Sequence, residues 1–136
     1  MSGTLPPVTH HFNAQVYYED TDHSGVVYHA NYLKFFERAR EDIIGVDTLS
    51  RMWHEEGIGF AVYKADISYN DGAVFGDLLD IRTRWEKDGP YRMVFFHEAW
   101  RPQGNKAAVT CRLELVCLGP GKKLMPIPEI QFKENA

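Results

Sequence analysis

The chain has 136 residues, of which 44% are hydrophobic, and a formal net charge of −4 at pH 7. This length is typical of one domain, so we expect a single domain over residues 1–136 with a loose leader at 1–9. The acidic balance disfavours a general nucleic-acid-binding protein. No run of eighteen apolar residues occurs, so no membrane span is expected, and the N-terminal segment carries no secretory pattern. These features predict a cytoplasmic protein.

The first third of the chain predicts a strand, a loop and a long helix. Apolar residues alternate with polar ones over residues 12–18, which indicates the first strand. Asn31 is a candidate N-cap for a helix over residues 32–44, and Gly45 is its expected end. The apolar face of this helix is wide and includes Leu33, Phe35, Phe36, Ala39, Arg40 and Ile43. A face this wide indicates that other elements cover the helix on more than one side.

The remainder of the chain predicts a short helix and four strands. Residues 47–56 read as the second helix, with Leu49, Met52 and Trp53 facing inward. Beyond it the hydrophobic period changes to 2, and a change of parity within residues 58–69 predicts a β-bulge. Three further strands follow at residues 79–85, 91–100 and 107–118. Short turns join them, which favours antiparallel neighbours.

The predicted fold class is therefore α+β, with a five-stranded antiparallel sheet wrapped around one long helix. The edges of such a sheet would stay open, and pairing of two sheets in a dimer would cover them. Cys111 and Cys117 lie six residues apart on one predicted strand, about 20 Å at roughly 3.3 Å per residue. This separation excludes a disulfide between them, and we expect both to be buried hydrophobes.

The loop between the first strand and the long helix holds the candidate chemistry. Asp20 and Asp22 place carboxylates just ahead of the helix, and Gly25 lets the backbone approach another group closely. Acyl transfer needs a nucleophile or base beside backbone N–H groups that can hold an oxyanion. Asp22 is the candidate catalytic acid, although it could instead cap the loop or the helix. Asp20 is expected to be a structural hydrogen-bond acceptor.

His29 stands at the start of the helix and has three possible roles. It could supply its backbone N–H, its imidazole or packing, and the backbone role ranks first because helix N-termini carry partial positive charge. His23 could tune Asp22 as a neighbouring charge. The spacing of Asp20, Asp22, His23 and His29 fits no zinc signature, so we expect neither a metal nor a cofactor. Glu37 could pair with Arg38 or face the loop.

These residues resemble a known family. The order of elements resembles the hot-dog fold. Residues 17–40, with Glu-Asp-Thr-Asp-x-x-Gly-Val-Val-Tyr-His-Ala-Asn-Tyr and then Phe-Phe-Glu-Arg-Ala-Arg, resemble thioesterases of the 4-hydroxybenzoyl-CoA type. In more detail they resemble the Tol-Pal-associated acyl-CoA thioesterases of bacteria. The resemblance implies hydrolysis of acyl-CoA, with Asp22 as the catalytic acid and an oxyanion donor near His29. Substrate-binding residues are then expected at Gly25, Val26, Tyr28 and Tyr32.

The resemblance also implies an assembly and leaves alternatives open. Relatives place the site between subunits, so a homodimer or tetramer is expected, and a link to acyl-carrier protein or to the Tol-Pal system rests on resemblance only. Asp22 could attack the thioester or activate water. Two rivals are a hot-dog hydratase, whose Asp-x-Asn-Pro-x-His pattern is absent, and a non-catalytic acyl-binding module. The basic residues Lys64, Arg82, Arg84 and Arg92 could bind coenzyme A phosphates or be plain surface charge.

Overall fold

The computed structural model describes residues 4–136, so the first three residues of the predicted leader lie outside it. In chain order the helices and strands are β1 (His10–Gln15), α1 (Tyr32–Ile44), α2 (Val46–Arg51), β2 (Gly59–Tyr69), β3 (Leu78–Asp88), β4 (Arg92–Trp100), β5 (Val109–Gly119) and β6 (Lys123–Met125). Between residues 4 and 136, none of the helices has the length and apolar character needed to cross a membrane.

The strands form one antiparallel sheet in the order β1-β3-β4-β5-β2. The predicted α+β hot-dog architecture is thus confirmed, including the bulge in β2, where the register shifts between Val62 and Lys64. β6 is a short addition to the five predicted strands, and it pairs with the end of β5. Both cysteines are unbridged and buried, as predicted.

Helix α1 lies in the concave face of the sheet. Phe35, Phe36, Ala39 and Ile43 are completely buried in the core that the strands also line. Burial of one such large side chain contributes about 1.5–3 kcal/mol, which is what holds the helix against the sheet. Leu33 is exposed, so its predicted inward position is wrong, because it lies beyond the edge of the buried face.

A hydrogen-bonded polar cluster crosses this core. Arg40 Nη1 donates to His97 Nε2 at 3.2 Å, and His97 Nδ1 lies 2.9 Å from Thr83 Oγ1. The imidazole stacks between Phe36 and Phe95. Burial, with the Arg40 charge as a second cause, lowers the pKa of His97 well below its usual value. A neutral His97 that accepts from Arg40 follows from this arrangement.

Three local predictions are wrong, at the end of β1, at the start of α1 and at Trp53. Strand β1 ends at Gln15, and Tyr18 lies instead in an exposed 3₁₀ turn. Asn31 has helical dihedral angles of φ −70° and ψ −23°, since a 3₁₀ turn already precedes it, and it makes no side-chain cap. Trp53 is 62% exposed because the chain widens into a π-helical turn at Met52–Glu56.

The two edges of the sheet differ. The C-terminal tail reaches the edge at β1, where the backbone N–H of Asn135 donates to Thr9 O at 3.0 Å. The Asn135 side chain also accepts from the backbone of His11 and donates to it, at 2.6 and 2.9 Å. β2, at the other edge, pairs only with β5 among residues 4–136. The tail therefore covers one edge of the sheet and leaves the other available.

Candidate active site

The loop that carries the candidate residues is a tight hairpin. Thr21 and Val27 form an isolated antiparallel bridge, and Asp22 N donates to Val26 O at 2.8 Å. Gly25 has a φ of +88°, a conformation that residues with a Cβ rarely adopt. A Cβ placed there would meet no atom within 4 Å, so the turn requires glycine for its backbone angle. The hairpin holds Asp22 in a fixed position ahead of α1.

Asp20 ties this hairpin to the start of the helix. Its carboxylate accepts from Tyr17 N at 2.8 Å and from Asn31 Nδ2 at 2.7 Å, and its carbonyl accepts from Tyr28 N at 2.9 Å. The predicted structural role of Asp20 is confirmed. The Asn31 amide group is therefore engaged by Asp20.

The Asp22 carboxylate is bonded on one oxygen. Its Oδ1 accepts from Ser24 N at 2.8 Å and from Ser24 Oγ at 2.6 Å. No hydrogen bond of comparable geometry reaches Oδ2 from residues 4–136. The Ser24 hydroxyl and then the Ser24 N–H hold the pKa of the Asp22 carboxyl below its usual value, with smaller effects from the Val26 N–H and from nearby His29. Asp22 thus presents an ionised oxygen at neutral pH.

The second part of the candidate site is the set of backbone N–H groups just before α1. His29–Asn31 form a 3₁₀ turn that leads into α1, and Asn31 N donates back to Tyr28 O at 2.8 Å. Within the described part of the chain, the N–H groups of His29 and Ala30 donate to no acceptor. The partial positive charge of a helix start favours an anion at such N–H groups. The imidazole of His29 packs against Tyr28, with ring centroids 4.5 Å apart.

The predicted substrate-binding residues do not all reach the surface. Gly25 and Tyr28 are exposed, and Val26 is half-buried beside Val74. Tyr32 is only 2% exposed, and its hydroxyl accepts from Ala73 N at 3.3 Å inside the core. Tyr32 therefore packs at the helix start in the single chain, and its role in substrate binding stays a prediction.

One residue beside the site, Tyr69, is not among those that the sequence predicted. Tyr69, the last residue of β2, donates its hydroxyl hydrogen to His29 O at 2.8 Å. The two residues are forty positions apart, so no local pattern indicates this contact. The only signal in the sequence was a tyrosine at the end of a strand.

The other candidates lie elsewhere. Glu37 makes no ion pair with Arg38 in the described structure; it borders a cavity of about 290 Å³ between α1, α2 and β2. Apolar side chains line most of this cavity, among them Ile44, Leu49, Trp53, Ile58, Phe60 and Leu115. Three of the four basic candidates are already paired: Arg82 with Asp80 at 2.9 Å, Arg84 with Glu98 at 3.4 Å and Arg92 with Glu114 at 3.1 Å.

The sheet wrapped around one helix, with an acidic hairpin ahead of that helix, defines the class of the protein. The chain belongs to the thioesterase-like superfamily, whose family model matches residues 16–132. It is 43% identical over 109 residues to the acyl-CoA thioester hydrolase YbgC of Escherichia coli O6:H1, covering 79% of this chain and 81% of the relative.

Two further relatives agree with this assignment. The acyl-CoA thioesterase YbgC of Haemophilus influenzae is 35% identical over 118 residues, which is 85% of each chain. The crystal structure of a DHNA-CoA thioesterase from Staphylococcus aureus superposes with a TM-score of 0.80 at 27% identity, covering 88% of this chain and 81% of that one. The predicted resemblance to acyl-CoA thioesterases of this type is confirmed.

Proposed function

We propose that this chain is an acyl-CoA thioesterase in which Asp22 is the catalytic carboxylate. The backbone N–H groups of His29 and Ala30 would form the oxyanion hole. One observation carries the proposal: within residues 4–136, an ionised carboxylate whose Oδ2 receives no short hydrogen bond lies in the hairpin that precedes two N–H groups without an acceptor. The thioesterases among its relatives support the reaction class.

The proposed chemistry begins with the thioester carbonyl accepting hydrogen bonds from these N–H groups. Negative charge that develops on the carbonyl oxygen is then stabilised where the N–H groups point. In one route Asp22 Oδ2 bonds to the carbonyl carbon, the C–S bond breaks and coenzyme A leaves as a thiolate. Water then hydrolyses the mixed anhydride. In the other route Asp22 removes a proton from water, and the resulting hydroxide adds to the same carbon. The tetrahedral intermediate then breaks its C–S bond, and coenzyme A leaves as the thiol with the proton that Asp22 took up.

Isotope labelling can establish the nucleophilic route. In turnover in H₂¹⁸O, water attack on the Asp22 carbonyl of a mixed anhydride leaves ¹⁸O in the Asp22 carboxyl, whereas attack on the acyl carbonyl leaves it in the released acid. A general base gains none, so ¹⁸O in Asp22 shows that this carboxylate was the nucleophile. Mass spectrometry of the peptide that contains Asp22 measures this directly.

We further propose that the site is completed by a second copy of the chain. β2 runs from Gly59 to Tyr69, so a two-fold antiparallel pairing about its midpoint, Lys64, places Gly59 of one copy opposite Tyr69 of the other. The apolar cavity beside Phe60 would then adjoin the His29 turn of the second copy. This arrangement gives the acyl group a place to bind, and it predicts a dimer or tetramer.

The proposal is tested by thiol release from purified protein with acyl-CoAs of several chain lengths and one aromatic thioester. Turnover of at least one thioester is expected, and the preferred length reports how deep the acyl pocket is. A protein that binds these thioesters without releasing thiol would be the non-catalytic acyl-binding module instead. A cytoplasmic location, and any link to acyl-carrier protein or to the Tol-Pal system, remain predictions.

A further inference from the structure

A tyrosine on the open edge of the sheet contacts the turn that carries the oxyanion donors. The Tyr69 hydroxyl donates to His29 O at 2.8 Å. The Tyr69 ring also meets the His29 ring edge-on at 6.3 Å and the Tyr32 ring at 5.9 Å between centroids. A hydrogen bond and two aromatic contacts thus join the end of β2 to the start of α1.

The position of this hydrogen bond on the peptide has a chemical consequence. His29 C=O and Ala30 N–H belong to one planar trans peptide, so they point in opposite directions. A donor that fixes the carbonyl therefore also fixes where the Ala30 N–H points. Hydrogen bonds in a chain polarise one another, so a bond to the carbonyl makes the N–H of the same peptide a stronger donor.

The Ala30 N–H is the group that this contact would affect. It donates to no acceptor within residues 4–136, and both His29 and Ala30 are exposed. Because the turn lies at the surface, its own packing restrains the peptide less than core packing would. The hydroxyl of Tyr69 supplies a restraint from a different element, a strand held by ten paired positions along β5.

We propose that Tyr69 is a positioning residue that orients and polarises the His29–Ala30 peptide, and so sets the strength of the oxyanion hole. This role rests on the proposed function of that peptide as the oxyanion donor. Tyr69 touches neither Asp22 nor the thioester in this scheme, and it acts only through the peptide. The interaction would stabilise the tetrahedral state more than the bound substrate, because the negative charge on oxygen develops only in that state.

The test replaces Tyr69 by Phe, which removes one hydroxyl and keeps the ring. Tyr91→Phe is the matched control, since Tyr91 is an exposed tyrosine in the turn between β3 and β4, away from the Asp22 hairpin and from the β2 edge. Loss of a direct oxyanion donor lowers kcat about 10²–10³-fold. For a residue that acts through the donor peptide we expect Tyr69→Phe to lower kcat roughly 10- to 100-fold with KM nearly unchanged, and Tyr91→Phe to leave both unchanged.

A second readout separates this role from a structural one. A trifluoromethyl ketone analogue of acyl-CoA adds water in solution to give a tetrahedral gem-diol, one oxygen of which can occupy the oxyanion position, whereas coenzyme A alone does not reach that position. Tyr69→Phe should weaken binding of the analogue by the factor lost from kcat/KM, with binding of coenzyme A, the melting temperature and the oligomeric mass unchanged.

The outcomes are distinct from those that test Asp22. Parent-like analogue binding and kcat in Tyr69→Phe would overturn the positioning role, even if Asp22 proves essential. Equal losses of analogue and coenzyme A binding, or a change in mass, would overturn it in favour of a structural role. Analogue binding does not require turnover, so this comparison holds even if Asp22 proves not to be the catalytic acid.

Discussion

At the scale of single residues, the site depends on how Ser24 holds Asp22. Two donors from one residue reach the same carboxylate oxygen, which leaves the other oxygen to react. Hydrogen bonds to the charged form of a carboxyl lower its pKa. Ser24 therefore keeps Asp22 ionised further into acid than an unassisted aspartate, and the acid limb of the pH–rate profile should lie correspondingly low.

Replacing Ser24 by Ala removes the hydroxyl and keeps the backbone donor. The pKa of Asp22 should rise toward its usual value, so the acid limb of kcat/KM should move to higher pH, and activity should be lost sooner as pH falls. His23→Ala is the control, and its acid limb should match that of the parent. Superimposable profiles for Ser24→Ala and the parent would show that Ser24 does not tune the reactive carboxylate.

At the scale of elements, the predictable parts are those set by local patterns. Helix α1 followed from apolar spacing and a terminal glycine, and the β2 bulge followed from a change of parity. The position of Asn31 did not, because a 3₁₀ turn precedes it and its side chain bonds to Asp20, eleven residues earlier in the chain, instead of capping the helix. Trp53 was misplaced because periodicity assumes α-helical geometry, and its turn is π-helical. Tertiary contacts thus decided what local pattern could not.

The hairpin of the site also packs closely against the loop after β2. A Cβ added at Gly72 would lie 2.8 Å from Val26 Cγ1, which is too close for unchanged packing. We expect Gly72→Ala to lower the free energy of unfolding by about 1–3 kcal/mol, the usual cost of an overpacked contact. Urea denaturation measures this change.

A double variant supplies the control for this prediction. Val26→Ala removes the Cγ1 atom that a Cβ at position 72 would meet, so Gly72→Ala should lower the free energy of unfolding much less in that background. The loss of stability in the double variant should therefore be smaller than the sum of the losses in the two single variants. If the loss in the double variant equals the sum of the two single losses, the contact with Val26 is not the cause of the destabilisation by Gly72→Ala.

At the scale of the whole molecule, completion of the proposed site requires two copies to pair at the open edge of β2. Val62 lies on this edge and is 49% exposed in the single chain. If two copies pair here, Val62→Asp would bury an unpaired charge, which is strongly unfavourable. We expect light scattering to show a shift from dimer or tetramer toward monomer, with activity lost because the site is incomplete.

Val46→Asp provides a matched control for this change. Val46 is 63% exposed on α2, away from the sheet edge, so the same substitution there should leave both mass and activity unchanged. A fully active monomer, in the parent or in Val62→Asp, would contradict the shared site.

The catalytic role of Asp22 is best tested by kcat for Asp22→Asn, a substitution that keeps the size of the side chain and removes its charge. Both catalytic routes need the carboxylate, so kcat should fall by about 10²–10⁴-fold or more. The circular dichroism spectrum should be unchanged. Asp47→Asn, an exposed aspartate in the first turn of α2, should retain parent activity. An Asp22→Asn protein that keeps most of the parent kcat would contradict the assignment of Asp22 as the catalytic acid.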